Sequence, residues 1–300
     1  MKRRENRSRM RSMKFLFKSL GWMTWTALLA CGTAHAAEPL RVEIPTAGLS
    51  SSPAPLAGYL FKPAEAGPHP AVVMMHGCGG PFASSGKLNS RHRMWGEFLQ
   101  QQSYAALLLD SFASRGIREL CTIKFSERTL KEADRVGDAH AALAFLRDLP
   151  EIKASNIGLL GWSHGGGVTL ATMTDKSPAA KGFRAAVAFY PGCTARARHA
   201  DTFHPYAPTL VLIGDADDWT PAPPCKALVA AVAARGEPMS IVSYPDTYHD
   251  FDNPALTRRR VREDVPNGVR PGQGVTTAPN PEARADALKR VSAFFAQHLK

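Results

Sequence analysis

The sequence predicts an α/β fold in which a mostly parallel sheet is covered by helices on both faces. Short apolar runs of strand length alternate with amphipathic segments of helical length. The apolar runs are continuous, as in strands that are buried on both faces of a sheet. No repeat divides the chain, and its 300 residues are compatible with one hydrophobic core. We therefore predict one domain over residues 37–300.

Residues 1–36 are excluded from this domain because they are typical of a secretory signal peptide. A basic region is followed by an apolar stretch at 20–31 and by an Ala-His-Ala cleavage site at 34–36. A signal peptide that starts at Met13 is equally complete. A retained membrane anchor is disfavoured, since the apolar run is shorter than the roughly 20 residues that span a bilayer. We predict a periplasmic or secreted protein, with lipid attachment at Cys31 as the alternative.

The charge and the cysteines narrow the classes of function. The net charge of +11 lies mainly in residues 1–36, and residues 37–300 carry 29 basic and 25 acidic side chains, a net of +4. Nucleic-acid binding is therefore not expected.

An even number of cysteines in an exported chain predicts disulfides, and none has the spacing of a zinc ligand pair. We expect neither a metal nor a cofactor. The four cysteines of residues 37–300 are Cys78, Cys121, Cys193 and Cys225.

In the first half of the domain, strands are predicted at residues 40–44 and 57–62, with a Ser/Pro-rich turn between them. The apolar run within 69–77 ends in glycines and predicts a third strand, and the run at 105–110 predicts a fourth. Between these two strands, the apolar residues within 94–99 have helical spacing.

In the second half, a helix is predicted over residues 127–148, because Val136, Ala139, Leu143 and Leu146 share one helical face. Four strands follow, with helices after Ser163 and after the third of these strands. The predicted ranges are 157–160, 184–190, 208–214 and 240–244 for the strands and 223–234 for the second helix.

The C-terminal part of the chain contains a long loop and a final helix. Asn280 and Pro281 are typical of a helix start and predict that the last helix begins there. Residues 252–280 are irregular and rich in arginine, and we interpret them as a solvated loop rather than as a ligand site. Because parallel sheets place active sites beyond the carboxyl ends of their strands, the loops at those ends carry the functional interpretation.

One such loop contains a candidate nucleophile, Ser163. Residues 161–165 (GWSHG) follow a buried strand, precede a helix and match the G-x-S-x-G nucleophile elbow. In this tight turn the serine has a strained backbone, and bulky side chains two positions away would clash. The hydroxyl then lies at a helix N-terminus, where the helix dipole favours negative charge.

A serine hydroxyl needs a base to remove its proton, and the base needs an acid to orient it. This fold requires the chain order serine, acid, histidine. Asp215, Asp217 and Asp218 follow the strand that ends at Gly214, and His249 follows the last strand. These loops therefore predict a Ser-His-Asp triad and an acyl-enzyme intermediate.

The oxyanion that forms during acyl transfer needs backbone donors. We expect one donor to be the amide of His164, the residue after the nucleophile. The other is expected in the glycine-rich loop after the third strand, at the amide of Cys78 or, alternatively, of Gly77.

These loops resemble those of the α/β-hydrolases and, within that superfamily, of the dienelactone hydrolase group. GWSHGG (161–166) is similar to the elbow of the group, IGDADDWTP (213–221) to its acid loop and YPDTYHDFD (244–252) to its histidine loop. The resemblance covers roughly residues 55–299. It implies a single α/β-hydrolase domain and selects Asp217 as the acid.

The resemblance also concerns substrate binding. The segment LLLDSFASRG (107–116) is similar to one that carries an arginine for a substrate carboxylate, which implies this role for Arg115. Trp162, together with Trp219 and Phe251, either lines the acyl pocket or packs in the core. Unlike the group, this chain has a serine nucleophile and, near the position of the group's glutamate, His76. These differences imply an ester hydrolase of broader substrate class.

The predicted strand positions also pair the cysteines. Cys193 and Cys225 follow neighbouring strands, as do Cys78 and Cys121, so we predict the disulfides Cys78–Cys121 and Cys193–Cys225.

Three functions are compatible with these residues. The first is an exported serine hydrolase for small or medium carboxylic esters or lactones. The second is a peptidase or polysaccharide deacetylase that uses the same triad. The third, from a different class, is a non-catalytic exported binding protein of the same fold.

Overall fold

The computed structural model describes residues 38–46, 48–174 and 182–300. The predicted signal peptide and Cys31 lie outside the described residues. The central sheet has eight strands in the order β1-β2-β4-β3-β5-β6-β7-β8. Strand β2 is antiparallel to β1 and β4, and the pairs from β4 to β8 are parallel. The strands are β1 (Leu40–Ile44), β2 (Leu56–Phe61), β3 (His69–Met75), β4 (Ala105–Asp110), β5 (Ile152–Trp162), β6 (Ala185–Phe189), β7 (Thr209–Gly214) and β8 (Met239–Tyr244).

Helices cover both faces of this sheet. The evidence is that alternate residues of its strands pack in two different apolar clusters, each of which includes helical residues. Val72 and Met74 of β3 pack in one cluster with α1, α5 and α6. Val73 and Met75 pack in the other with α2. The predicted fold class is thus confirmed. The helices are α1 (Ser90–Gln101), α2 (Glu132–Arg147), α3 (His164–Met173), α4 (Thr194–Arg198), α5 (Ala222–Ala234) and α6 (Pro281–Leu299).

Two element boundaries differ from the predicted ones by five residues. Helix α2 begins at Glu132, five residues later than predicted, where the Asp134 carboxylate accepts the Lys131 N–H at 2.8 Å. Strand β5 begins earlier than predicted, at Ile152. The last helix begins as predicted, since the Asn280 side chain accepts the N–H of Ala283 at 3.0 Å. Among the described residues, no helix combines the length and apolar character needed to cross a membrane.

Residues 252–280 are only partly the solvated loop that the sequence predicts. Arginines 258–260 are exposed, but the segment also forms the antiparallel strands β9 (Arg260–Arg262) and β10 (Val275–Thr277). Asp218 of the acid loop holds β10, because its carboxylate accepts the N–H and the hydroxyl of Thr276 at 2.7 and 2.8 Å. The segment therefore packs against the end of the sheet that carries the candidate site.

Candidate active site

Ser163 lies in a sharp turn between β5 and α3 and has φ 53° and ψ −115°. Positive φ is uncommon for a residue other than glycine and indicates local strain. The flanking glycines make this turn feasible. A Cβ on Gly161 would lie 2.2 Å from the Gly165 carbonyl oxygen, and one on Gly165 would lie 2.1 Å from that of Met75. The steric reason inferred from the sequence for these glycines thus agrees with the geometry.

Asp217 and His249 come together from the loops after β7 and β8. The ring nitrogen Nδ1 of His249 donates to Oδ2 of Asp217 at 2.7 Å. The other carboxylate oxygen of Asp217 accepts the backbone N–H groups of Trp219 and Thr220 at 2.9 and 2.8 Å. These bonds fix the carboxylate. Since Nδ1 carries the proton, Nε2 of His249 is left as the acceptor.

The surroundings of His249 favour its protonated form. The residue is 1% exposed, and its ring lies between those of Tyr190 and Trp219, with centroid distances of 4.4 and 4.6 Å. Burial lowers the pKa of His249, but the charge and hydrogen bond of Asp217 outweigh burial and raise this pKa above its ordinary value. The imidazolium form of His249 is therefore stabilised.

Ser163 and His249 lie in the same neighbourhood without a direct hydrogen bond. The Ser163 N–H donates to the carbonyl of Phe189 at 2.9 Å, and the next residue, Tyr190, contacts the His249 ring. The buried Nε2 of His249 has no hydrogen-bond partner within the described ranges. Catalytic hydrogen bonds are often long in ligand-free enzymes and shorten when substrate binds.

The expected oxyanion donors lie just beyond the carboxyl ends of two adjacent strands, because β3 pairs with β5. A Cβ on Gly77 would lie 3.5 Å from the Cβ of Ser163. In the part of the chain that the structure describes, the amides of Cys78 and His164 donate to no protein acceptor. Neither N–H group is therefore occupied by a protein acceptor in this part of the chain, and their role as oxyanion donors stays a prediction.

Two buried histidines beside this region are neutral. His76 donates from Nδ1 to the Gly77 carbonyl at 2.8 Å and accepts the Ser111 N–H at Nε2. His164 accepts a bond from the Arg135 guanidinium at Nδ1, at 2.8 Å. Burial, and then the charge of Arg135, holds the pKa of both histidines well below the ordinary range. Neither histidine therefore takes up a proton at neutral pH.

Both predicted disulfides are present in the structure. Cys78 is bonded to Cys121 and Cys193 to Cys225, with S–S distances of 2.08 and 2.00 Å. The first bond ties the loop of the expected Cys78 donor to the loop after β4, where the Leu120 N–H also donates to the Cys78 carbonyl at 2.7 Å. This disulfide therefore helps to fix the position of the loop that contains the expected Cys78 donor.

We expect the two disulfides to differ in their effect on activity. Replacing either pair by alanine should lower the free energy of unfolding by about 2–4 kcal/mol, since the sequence separations of 43 and 32 residues are similar. Only the Cys78→Ala/Cys121→Ala variant should also lower ester turnover, by roughly 10- to 100-fold, because a small displacement of a catalytic donor has a large kinetic effect. Denaturant unfolding and turnover of p-nitrophenyl acetate measure the two effects. Equal activity in the two double variants would contradict this role.

The structure shows other contacts for the two residues with a predicted substrate-binding role. Trp162 is fully buried, and its Nε1 donates to Asp252 at 2.9 Å, so the residue belongs to the core. Arg115 forms a two-pronged ion pair with Asp138, with both N–O distances at 2.9 Å. This ion pair engages both terminal nitrogens of the guanidinium, which favours a structural role. Phe251 is buried as well, whereas Trp219 packs against His249.

The sequence analysis did not identify Thr220, which also lies in this candidate site. The hydroxyl of Thr220 lies 3.1 Å from both Asp217 Oδ2 and His249 Nδ1 and donates to the Tyr190 carbonyl at 2.9 Å. Thr220 therefore contacts both the acid and the base, and its backbone N–H donates to the Asp217 carboxylate at 2.8 Å. Its position three residues after Asp217, in the acid loop, was the available signal.

A small apolar cluster connects the loops around the site. Trp219 links this cluster to His249. Beside it, a cleft of about 890 Å³ lies between residues 79–86 and 110–123 and begins next to Cys78, at Gly79. The cluster consists of Cys78, Phe112, Leu120, Cys121, Leu130, Trp219, Val265 and Val275.

Taken together, the fold and these loops define a hydrolase of the α/β-hydrolase superfamily. Residues 56–299 match the model of the dienelactone hydrolase family. The chain belongs to this family and is accordingly a carboxylic-ester hydrolase. A comparison with curated proteins finds no significant match.

Solved structures of similar fold include a provisionally assigned dienelactone hydrolase from Klebsiella pneumoniae. It has a TM-score of 0.66 and 19% identity, over 87% of this chain and 100% of that one. Esterase 2 from Thermogutta terrifontis, phosphorylated by paraoxon, has a TM-score of 0.61 and 17% identity, over 88% and 95% of the two chains. Dipeptidyl peptidase 4 from Porphyromonas gingivalis has a TM-score of 0.62 and 18% identity, over 88% of this chain and 36% of that one. At these identities the likeness is one of fold.

Proposed function

We propose that this protein is an exported serine hydrolase that cleaves small or medium carboxylic esters or lactones through Ser163, His249 and Asp217. The observation that carries the proposal is the 2.7 Å bond between His249 and Asp217, at the same end of the sheet as the strained Ser163. Membership of the dienelactone hydrolase family supports it, and it disfavours the non-catalytic alternative.

The proposed reaction begins when Ser163 Oγ attacks the substrate carbonyl carbon and His249 Nε2 takes the hydroxyl proton. The negative charge that develops on the carbonyl oxygen is stabilised by the His164 amide and by the amide of Cys78 or Gly77. His249 then gives its proton to the departing alcohol oxygen, which leaves an acyl-enzyme on Ser163. A water molecule, deprotonated by His249, releases the acid and restores the serine.

Asp217 acts on this sequence of steps through His249. Its carboxylate keeps the proton on Nδ1, so that Nε2 is the basic nitrogen, and it stabilises the imidazolium. The backbone N–H groups of Trp219 and Thr220 hold the carboxylate in this orientation. No step requires a metal ion or a cofactor.

Export to the periplasm or outside the cell is part of the proposal. The two disulfides support it, because disulfides persist mainly in oxidising compartments. The predicted signal peptide at residues 1–36 agrees with this location, with lipid attachment at Cys31 as the alternative. We place the larger of the two groups that the substrate's ester bond joins in the cleft next to Gly79.

Labelling with a fluorophosphonate probe tests the nucleophile without knowledge of the natural substrate. We expect one covalent adduct, which peptide mass spectrometry locates on Ser163, together with turnover of p-nitrophenyl acetate and of a simple lactone. A peptide p-nitroanilide and an acetylated polysaccharide complete the substrate panel. Preferred cleavage of either would favour the peptidase or deacetylase alternative. If the probe labels no serine and no ester is cleaved, the proposal is wrong.

A further inference from the structure

Arg135 of helix α2 is a fully buried arginine beneath the candidate site, with 0% exposure. One terminal nitrogen donates to the carbonyl oxygen of His76 at 2.9 Å, and the other donates to Nδ1 of His164 at 2.8 Å. Its Nε has no hydrogen-bond partner within the described residues. The guanidinium thus connects two chain segments that lie 59 and 29 residues away from it in the sequence.

This buried cation has no carboxylate partner among the residues that the structure describes. Asp138, one turn further along α2, is paired with Arg115 instead. Burial lowers the pKa of Arg135 to about 10, so the side chain is still charged at neutral pH. Asp138, Glu132 and Asp110 favour its charged form through space, but none forms an ion pair with it. Burying a charge without a directly bonded counter-charge is costly. The groups that Arg135 contacts therefore indicate the role of its charge.

The two acceptors of Arg135 belong to the segments that carry the expected oxyanion donors. The His76 carbonyl is part of the peptide unit whose N–H belongs to Gly77, and Gly77 lies against Ser163. In a trans peptide the C=O and N–H bonds point in opposite directions. A bond from Arg135 to this carbonyl therefore makes the Gly77 N–H, on the far side of the same unit, a stronger donor. The second acceptor is the side chain of His164, whose own amide is the other expected donor.

We propose that Arg135 is a positioning residue for the oxyanion hole, which it serves by tying the segment 76–78 to the segment 163–164 beneath the nucleophile. This inference rests on the proposed function. The guanidinium fixes the separation of the two donors, and its charge, in a site of low dielectric, favours the negative oxygen of the tetrahedral intermediate. Arg135 contacts neither the substrate nor the reacting atoms.

The test compares Arg135→Met with Arg147→Met in the full chain. Arg147 lies on the same helix and also donates to two backbone carbonyls, those of Ala154 and Gly182, at the other end of α2. We expect Arg135→Met to lower kcat for p-nitrophenyl acetate by roughly 10- to 100-fold, somewhat less than the loss of one direct oxyanion donor. KM should change by less than about twofold, because ground-state binding does not use the oxyanion hole. Arg147→Met should keep both constants near the wild-type values.

A transition-state analogue separates positioning from general structural support. The affinity for a trifluoromethyl ketone, which forms a tetrahedral adduct on the serine, should fall by the same factor as kcat/KM. His164→Ala keeps the backbone amide but removes one acceptor of Arg135, and it should show a smaller loss in the same two quantities. It also serves as the second variant if Arg135→Met does not fold. Arg135→Lys, which keeps the charge but offers a single donor group, should recover part of the activity.

The outcomes distinguish this inference from the proposed function. A wild-type protein that neither reacts with the fluorophosphonate probe nor cleaves esters would overturn both. An active wild type together with a folded Arg135→Met or His164→Ala variant of unchanged kcat would overturn the positioning role alone. A loss confined to KM, with unchanged affinity for the ketone, would overturn it as well.

Discussion

Replacing Ser163 by alanine is expected to lower kcat for p-nitrophenyl acetate by about 10⁶-fold, as loss of the nucleophile does in other serine hydrolases. The variant loses the only oxygen that forms the acyl-enzyme in the proposed mechanism. The oxyanion donors are backbone groups and are unchanged, so a small residual rate above that of water should persist. Steady-state turnover and fluorophosphonate labelling measure the two effects, and labelling should be absent.

Ser111→Ala is the matched control for this variant. Ser111 is also a buried serine, it follows β4 near the site, and its hydroxyl has no hydrogen-bond partner in the described part of the chain. Its N–H, which holds His76, is preserved in alanine. We expect wild-type turnover and labelling for this control. Similar rates for Ser163→Ala and the wild type would exclude Ser163 as the nucleophile.

Replacing Asp217 by asparagine is expected to lower kcat by about 10⁴-fold at pH 8, with little change in stability. An amide in place of the carboxylate no longer stabilises the imidazolium and permits the wrong tautomer of His249. The matched control is Asp215→Asn, in the same loop, because Asp215 pairs with Lys226 at 2.7 Å rather than with His249. A large loss in the Asp215 variant and none in the Asp217 variant would reverse the assignment of the acid.

The pH profile gives a second measure of the Asp217–His249 pair. Only neutral His249 accepts a proton, so kcat/KM should fall as the pH decreases through the pKa of this residue. Because Asp217 raises this pKa, the acidic limb in the wild type should lie above the ordinary histidine value of 6.5. In Asp217→Asn the largest of the remaining effects is burial, which lowers the pKa of His249, while the charges of Asp250 and Arg91 act on it in opposite directions. The limb should therefore move to lower pH, and a limb at the same pH in both proteins would contradict the pairing.

The sequence predicts the fold and the three loops well because both depend on local patterns. Continuous apolar runs identify the strands of a sheet that is buried on both faces. The glycines around Ser163 identify a turn that only small neighbours permit. The chain order of Ser163, Asp217 and His249 then places all three at one end of the sheet, although their assignment as a triad stays a prediction.

Buried polar residues were harder to interpret, as Arg115 and Arg135 illustrate. A substrate-binding role was predicted for Arg115 because its segment resembles one in the dienelactone hydrolase family. In the structure, Arg115 instead forms an ion pair with Asp138 on α2. The sequence did not identify Arg135 as a buried residue, because a charged residue inside an amphipathic helix ordinarily lies on the solvent face. Trp162 is a similar case, since its core position depends on Asp252, 90 residues away in the sequence.

The sequence by itself determined the order of β1 to β8 and of the helices other than α4, the elbow at Ser163 and the cysteines available for pairing. Each of these depends on side-chain size and periodicity along a short stretch of chain. The tertiary structure alone decided which buried charges meet, how β10 is held by Asp218, and that Arg135 lies between the segments of His76 and His164. Hydrogen bonds and ion pairs between distant segments depend on a few ångströms of separation, and that separation is set only when the helices pack on the sheet.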